Sequence, residues 1–182
     1  MTAFNDTAVT LPTGSNPQFL LTGDLNGDGI TDLVTANSND NTVSVLLGSS
    51  TGDFSPASTF AVGERPGSLA VGDFNGDGNP DIVASNLREG SVSVLLGNGN
   101  GGFARERTFA AGGEPLIGSS PVLGDREIFA GPLDVSVGDI NNEGDLDIAT
   151  VNASGSGIST LLGNGRGRFA AQQLSAEVNG ES

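Results

Sequence analysis

The chain has 182 residues, with 22 acids against seven arginines, no lysine, and a net charge of −15. That balance disfavours nucleic acid and anionic membrane surfaces as partners, because the cationic charge that would neutralise phosphate is missing. The absence of cysteine and histidine also removes disulfides, thiolate metal sites and the commonest general base.

Short apolar runs alternate with Gly, Asn and Asp clusters, and 29 glycines mark many turns, which reads as an all-β chain. Leu, Val, Ile and Phe run the whole length, so the composition is not that of a disordered chain. No apolar run approaches the roughly 18 residues a membrane helix needs, so no membrane insertion is expected. Residues Met1 to Asp6 carry neither a basic segment nor an apolar core, and no signal peptide is read there.

Self-similarity organises the rest. Gly23-Asp24-Leu25-Asn26-Gly27-Asp28-Gly29 recurs 49 positions later as Gly72-Asp73-Phe74-Asn75-Gly76-Asp77-Gly78. After 66 more it returns, altered, as Gly138-Asp139-Ile140-Asn141-Asn142-Glu143-Gly144. Three further markers keep the same offsets: Leu46-Leu47-Gly48, Leu95-Leu96-Gly97 and Leu161-Leu162-Gly163; Phe54, Phe103 and Phe169; Asn37, Asn86 and Asn152. The unit is therefore 49 residues, and the third copy follows an insertion of 17 between Gly113 and Ala130.

In chain order, residues 1–13 are expected to hold one strand, Ala8 to Leu11, which aligns with the fourth strand of a unit and so reads as the remnant of a preceding blade. Residues 14–63 form the first repeat and 64–112 the second. Within the second, strands are predicted at Ser68 to Val71, Asp81 to Ser85, Ser91 to Leu96 and Phe103 to Phe109. Ser91 to Leu96 alternates apolar with small polar residues, the pattern of a half-buried strand. Residues 113–130 are the insertion, 131–175 the third repeat and 176–182 a tail. Four short strands in a period near 50, separated by Gly/Asn turns, predict three four-stranded antiparallel blades of a β-propeller, as a partial ring or open arc. Three blades leave two open edges, so self-association or a place in a longer propeller chain is expected.

Each unit carries Asp-x-Asn-x-Asp-Gly-x-x-Asp or a close variant, and ten of the 22 acids fall in these three nine-residue windows. Oxygen donors at positions 1, 3 and 5 would wrap one side of a hard cation, and glycine at position 6 permits the sharp turn. Position 7 can offer its carbonyl and position 9 a closing carboxylate. In the first loop these are Asp24, Asn26, Asp28, Ile30 and Asp32; in the second, Asp73, Asn75, Asp77, Asn79 and Asp81. A donor set made only of oxygen suits Ca2+ better than Mg2+ and excludes soft metals. The competing reading is an Asx-type turn whose acids cap backbone groups. An EF-hand is disfavoured, because position 12 holds Thr35, Ala84 and Thr150 where a bidentate Glu is needed, and β-formers follow. A nonapeptide β-roll would repeat every nine residues.

With these loops, the chain resembles the FG-GAP or VCBS repeat family, the blades of integrin α-type propellers, over roughly residues 7 to 175. The resemblance implies calcium loops joining the first two strands of each blade, up to three ions in all. It implies a third ligand set of Asp139, Asn141, Glu143, the Asp145 carbonyl and Asp147. Glu143 replaces Asp at position 5, which predicts a weaker third site. The family's Phe-Gly-x-Gly-Pro run is altered to Phe60-Ala61-Val62-Gly63, with Pro66 further on.

Catalysis has no support in the residue set: no base or nucleophile stands out, and the clustered carboxylates look committed to metal. The expected function is therefore a non-enzymatic, calcium-binding interaction or adhesion scaffold, extracellular or at the cell surface, taking a protein or glycan ligand. A calcium-dependent, lectin-like propeller is the alternative, weakened by the lack of Trp and Tyr. An accessory domain of a secreted hydrolase is a third reading.

Overall fold

In the computed structural model, residues 8–112, 131–153, 157–170 and 173–174 are described, and every regular element among them is a strand. Blade 1 comprises β1 (Pro17–Gly23), β2 (Asp32–Asn37), β3 (Thr42–Leu46) and β4 (Ser58–Ala61). Blade 2 comprises β5 (Pro66–Gly72), β6 (Asp81–Asn86), β7 (Ser91–Leu95) and β8 (Arg107–Ala110). Blade 3 comprises β9 (Pro132–Gly138), β10 (Asp147–Asn152), β11 (Ile158–Leu161) and β12 (Gln173–Leu174). Each blade is an antiparallel meander with its strands in sequence order. The first strands stand side by side, β5 between β1 and β9, so three separate sheets fan out as an open propeller arc.

Period-2 alternation builds the two interfaces between blades. From β6, Ile82 and Ala84 join a core with Leu25, Val34, Val43 and Val45 of blade 1. Val83, on the opposite face, joins Phe74, Val92 and Val94 against Val135 and Ile148 of blade 3. Five phenylalanines bridge these interfaces edge-on. Phe60 meets Phe103 at 5.2 Å across the first interface, and Phe169 meets Phe74 at 5.7 Å and Phe109 at 5.1 Å across the second. Such pairs add about 0.5–1.5 kcal/mol each beyond the area they bury.

Three expectations need correction. The third strand of the middle blade is buried at every residue, not on one face only. Its small polar positions are buried because they are satisfied: the Asn86 amide donates to Ser91 Oγ at 3.0 Å and to Ser93 Oγ at 2.9 Å. Ser93 also accepts the Gly63 N–H at 3.0 Å, which ties the chain leaving blade 1 to blade 2. Asn37 and Asn152 do the same for Ser44 and Ser159 at 2.8 Å each, which explains the recurring asparagine.

The fourth strand of blade 2 begins at Arg107, not Phe103. Phe103 forms an isolated bridge with Gly97, whereas Arg107 pairs with Val94, so one extra residue lies on the fourth-strand side. That bulge interrupts the ladder before the strand resumes. Residues 8–13 form no strand, and Val9 is 81% exposed. No strand among the described residues pairs with this segment, and a lone strand without a partner is not stable. The insertion, 113–130, and the tail, 176–182, lie outside the described residues.

Candidate metal loops

All three Asp-rich segments sit between the first and second strands of their blades, from the end of β1 to the start of β2 and its equivalents. The first Asp organises each loop. Asp24 Oδ1 accepts the N–H groups of Gly27 at 2.7 Å and of Asn26 and Asp28 at 3.3 Å, and Oδ2 accepts that of Gly29 at 2.8 Å. Asp73 repeats the set with Asn75, Gly76, Asp77 and Gly78. Gathering those donors around one carboxylate requires left-handed backbone at positions 4 and 6, with φ of 75° and 80° at Gly27 and Gly29 and 73° and 83° at Gly76 and Gly78.

Positions 3 and 5 form a second layer. The Asn26 amide accepts from Asp28 N–H at 3.1 Å and donates to Asp28 Oδ2 at 3.0 Å, while Asp28 Oδ1 accepts from Ile30 N–H at 2.8 Å. Asn75, Asp77 and Asn79 copy this at 2.9, 2.9 and 2.8 Å. Side chains at positions 1, 3 and 5 thus lie in one loop, the Asn and Asp of positions 3 and 5 bonded to each other, and all are turned toward the loop's own N–H groups. Among the described residues no three carboxylates converge on a point that a metal would occupy. The capping contacts of the Asx-type reading are thus present, and the oxygen donors proposed for calcium are the same atoms.

Asp32, Asp81 and Asp147 have a role that spacing alone did not reveal. Each is fully buried, and each of its oxygens accepts one backbone N–H. Asp81 takes Phe74 at 2.8 Å, inside its own loop, and Gly97 at 2.7 Å, beyond the third strand; Asp32 takes Leu25 and Gly48, and Asp147 takes Ile140 and Gly163. This staple pins the loop to the turn after the third strand, and it explains the recurring glycine there. A Cβ on Gly48, Gly97 or Gly163 would run into the carbonyl of Thr31, Pro80 or Leu146.

The electrostatics divide along the same line. Backbone donation, led by Gly29, holds the Asp24 carboxyl below its ordinary range, and the Asn79 N–H does so for Asp77. Burial pushes Asp81 up, against the pull of the Gly97 and Phe74 N–H groups, and the charges of Asp77 and Asp73 push the same way. A cation at the second loop would relieve that repulsion.

The third loop is looser. Asp139 keeps the bonds from Glu143 and Gly144, at 3.0 and 2.9 Å, and Asn141 keeps that from Glu143 at 3.1 Å. It has no counterpart of the Asp28-to-Ile30 bond, because the longer Glu143 side chain does not cap the residue two ahead. Asn142 takes the left-handed position, at φ 60°, that glycine occupies in the other loops. Beside this loop lies an open cleft lined by Asn141, Glu143, Asp145, Asn164, Arg168 and Phe169.

No curated protein matches the sequence. The solved structures it matches include an Agrocybe aegerita lectin whose structure concerns specific recognition of non-reducing terminal N-acetylglucosamine, at 21% identity and a TM-score of 0.56, over 87% of this chain and 38% of the lectin. A Lactobacillus plantarum protein matches at 14% identity and a TM-score of 0.57, over 91% of this chain and 43% of its own. At these identities the likeness concerns the fold, and the chain spans about two fifths of the length of either structure. The FG-GAP-like repeat matches twice, at residues 24–84 and 73–150. Each match opens on the first Asp of a loop and ends within the next blade's second strand. Covering residues 24–150, the two matches show that the chain belongs to the FG-GAP-like repeat family.

Proposed function

We propose that this chain is a calcium-binding β-propeller repeat module that serves as an extracellular interaction scaffold and not as an enzyme. The observation that carries the reading is the recurrence of an Asp-rich loop between the first two strands of all three blades, with one hydrogen-bond pattern shared by the first two. Asp24, Asn26, Asp28, the Ile30 carbonyl and Asp32 would hold the first ion. Asp73, Asn75, Asp77, the Asn79 carbonyl and Asp81 would hold the second, and Asp139, Asn141, Glu143, the Asp145 carbonyl and Asp147 a weaker third. A bound ion would neutralise clustered acids in a chain of net charge −15 and fix the loop that holds it. Three carboxylates in each of the first two loops suit the weak sites of extracellular modules, with Kd of about 10⁻⁴–10⁻³ M.

Calcium titration by calorimetry tests this directly. Two ions should bind more tightly than a third. Asp24→Ala and Asp73→Ala should each lose one of the tight ions, and Asp139→Ala should leave both in place. Binding of no ions would refute the proposal, and a tighter third site would refute the ranking. The fold likeness to a lectin makes glycans the partner class to screen first, on an array with calcium and with chelator. Five of the nine phenylalanines, the aromatic residues left to stack on sugar, are engaged in ring pairs between blades, so protein partners are the expected outcome.

A further inference from the structure

We infer that the two end faces of the arc are the halves of one more blade-to-blade interface, and that the occupant of each is a second copy of this chain, docked head to tail. Repeat register supports this. At the two internal interfaces, the loop residue after the first Asp, Leu25 or Phe74, inserts into the next blade and is 1% or 2% exposed. Its counterpart on the outer face of blade 3, Ile140, is 47% exposed, and Val151 on the same face is 48% exposed.

The opposite end mirrors this. Leu69 and Val135, in the first strands of blades 2 and 3, receive the preceding blade and are 3% and 6% exposed. Their counterpart in blade 1, Leu20, is 58% exposed. Behind it stand Leu33 and Leu46, in the register of Ile82 and Leu95 and of Ile148 and Leu161, so the first face keeps the receiving pattern.

A second contact repeats in the same way. A Cβ on Gly101 would press on Leu47 of the preceding blade at 2.7 Å, and one on Gly167 on Leu96 at 3.0 Å. The next pair in register is Gly52 and Leu162, at opposite ends of the arc, and the space around Gly52 is open. Blade 1 of one copy thus offers blade 3 of another the surface that blades 2 and 3 offer their own predecessors. This is a head-to-tail, heterologous contact, which closes when the rotation permits. Two copies would supply six blades, within the range of about four to eight in which propellers close.

The test is light scattering of the full chain over a wide concentration range with calcium present, using Leu20→Glu and Val151→Glu. Both positions are exposed, so both variants should fold, and circular dichroism checks this. The wild-type chain should reach twice its 18.2 kDa. Each variant alone should stay monomeric. An equimolar mixture should recover a weaker two-chain species, because the Leu20→Glu chain keeps a sound last face and the Val151→Glu chain a sound first face. A wild-type chain that stays monomeric would overturn the inference. So would a Leu20→Glu chain that associates as the wild type does, since that result means like faces pair.

Discussion

Leu25, Phe74 and Ile140 occupy one repeat position, and truncating each to Ala measures what a neighbouring blade contributes. Phe74 is 2% exposed and touches Phe169 edge-on, so its loss removes a large buried ring and leaves a cavity; such truncations cost about 3–5 kcal/mol. Leu25, 1% exposed, should cost about 2–5 kcal/mol. Ile140 is 47% exposed. Three carbons at about 0.8 kcal/mol each when fully buried, halved for exposure, give roughly 1 kcal/mol, with no cavity because water fills the space. The chain has neither Trp nor Tyr, so urea unfolding is best followed by circular dichroism, at low concentration to keep chains apart. If Ile140→Ala cost as much as Phe74→Ala there, the reading of the outer face of blade 3 as open would be refuted.

Asp81→Ala should destabilise the fold by about 2–4 kcal/mol even in chelator, because it orphans the buried N–H of Phe74 and the half-buried N–H of Gly97. A loss seen only with calcium present would mean that the staple contributes nothing without the ion; thermal or urea unfolding in both buffers decides. Gly97→Ala should cost about 1–3 kcal/mol through the clash with the Pro80 carbonyl, whereas Gly23→Ala, with nothing within 4 Å of the added Cβ, should cost less than Gly97→Ala in the same assay.

The blades, their order and the placement of the loops were legible because they follow from local rules repeated in one register. Alternation sets strand faces, glycine sets left-handed turns, and Asp at a fixed spacing gathers N–H donors within a few residues. Features that depend on residues far apart were not legible. The Asp32-to-Gly48 staple spans 16 positions, and nothing in either segment alone announces it. Ser93 looked like the wet side of a strand until the Asn86 amide and the Gly63 N–H were found to satisfy it. The bulge before Arg107 adds one residue to a ladder, which composition cannot register. Ala8 to Leu11 has the residues of a strand, but strand formation depends on a partner as much as on propensity.

Thermal unfolding with calcium and with excess chelator tests the central claim, that these loops bind ions in the folded state. At ten times Kd, one site adds about 1.4 kcal/mol to stability, which for a domain of this length raises the midpoint by roughly 3–6 °C per ion. Two well-formed loops should therefore separate the midpoints by about 6–11 °C under those conditions, and Asp24→Ala with Asp73→Ala together should abolish most of the difference. Coincident midpoints for the wild-type chain would show that the acids only cap their own backbone, and that the calcium reading is wrong.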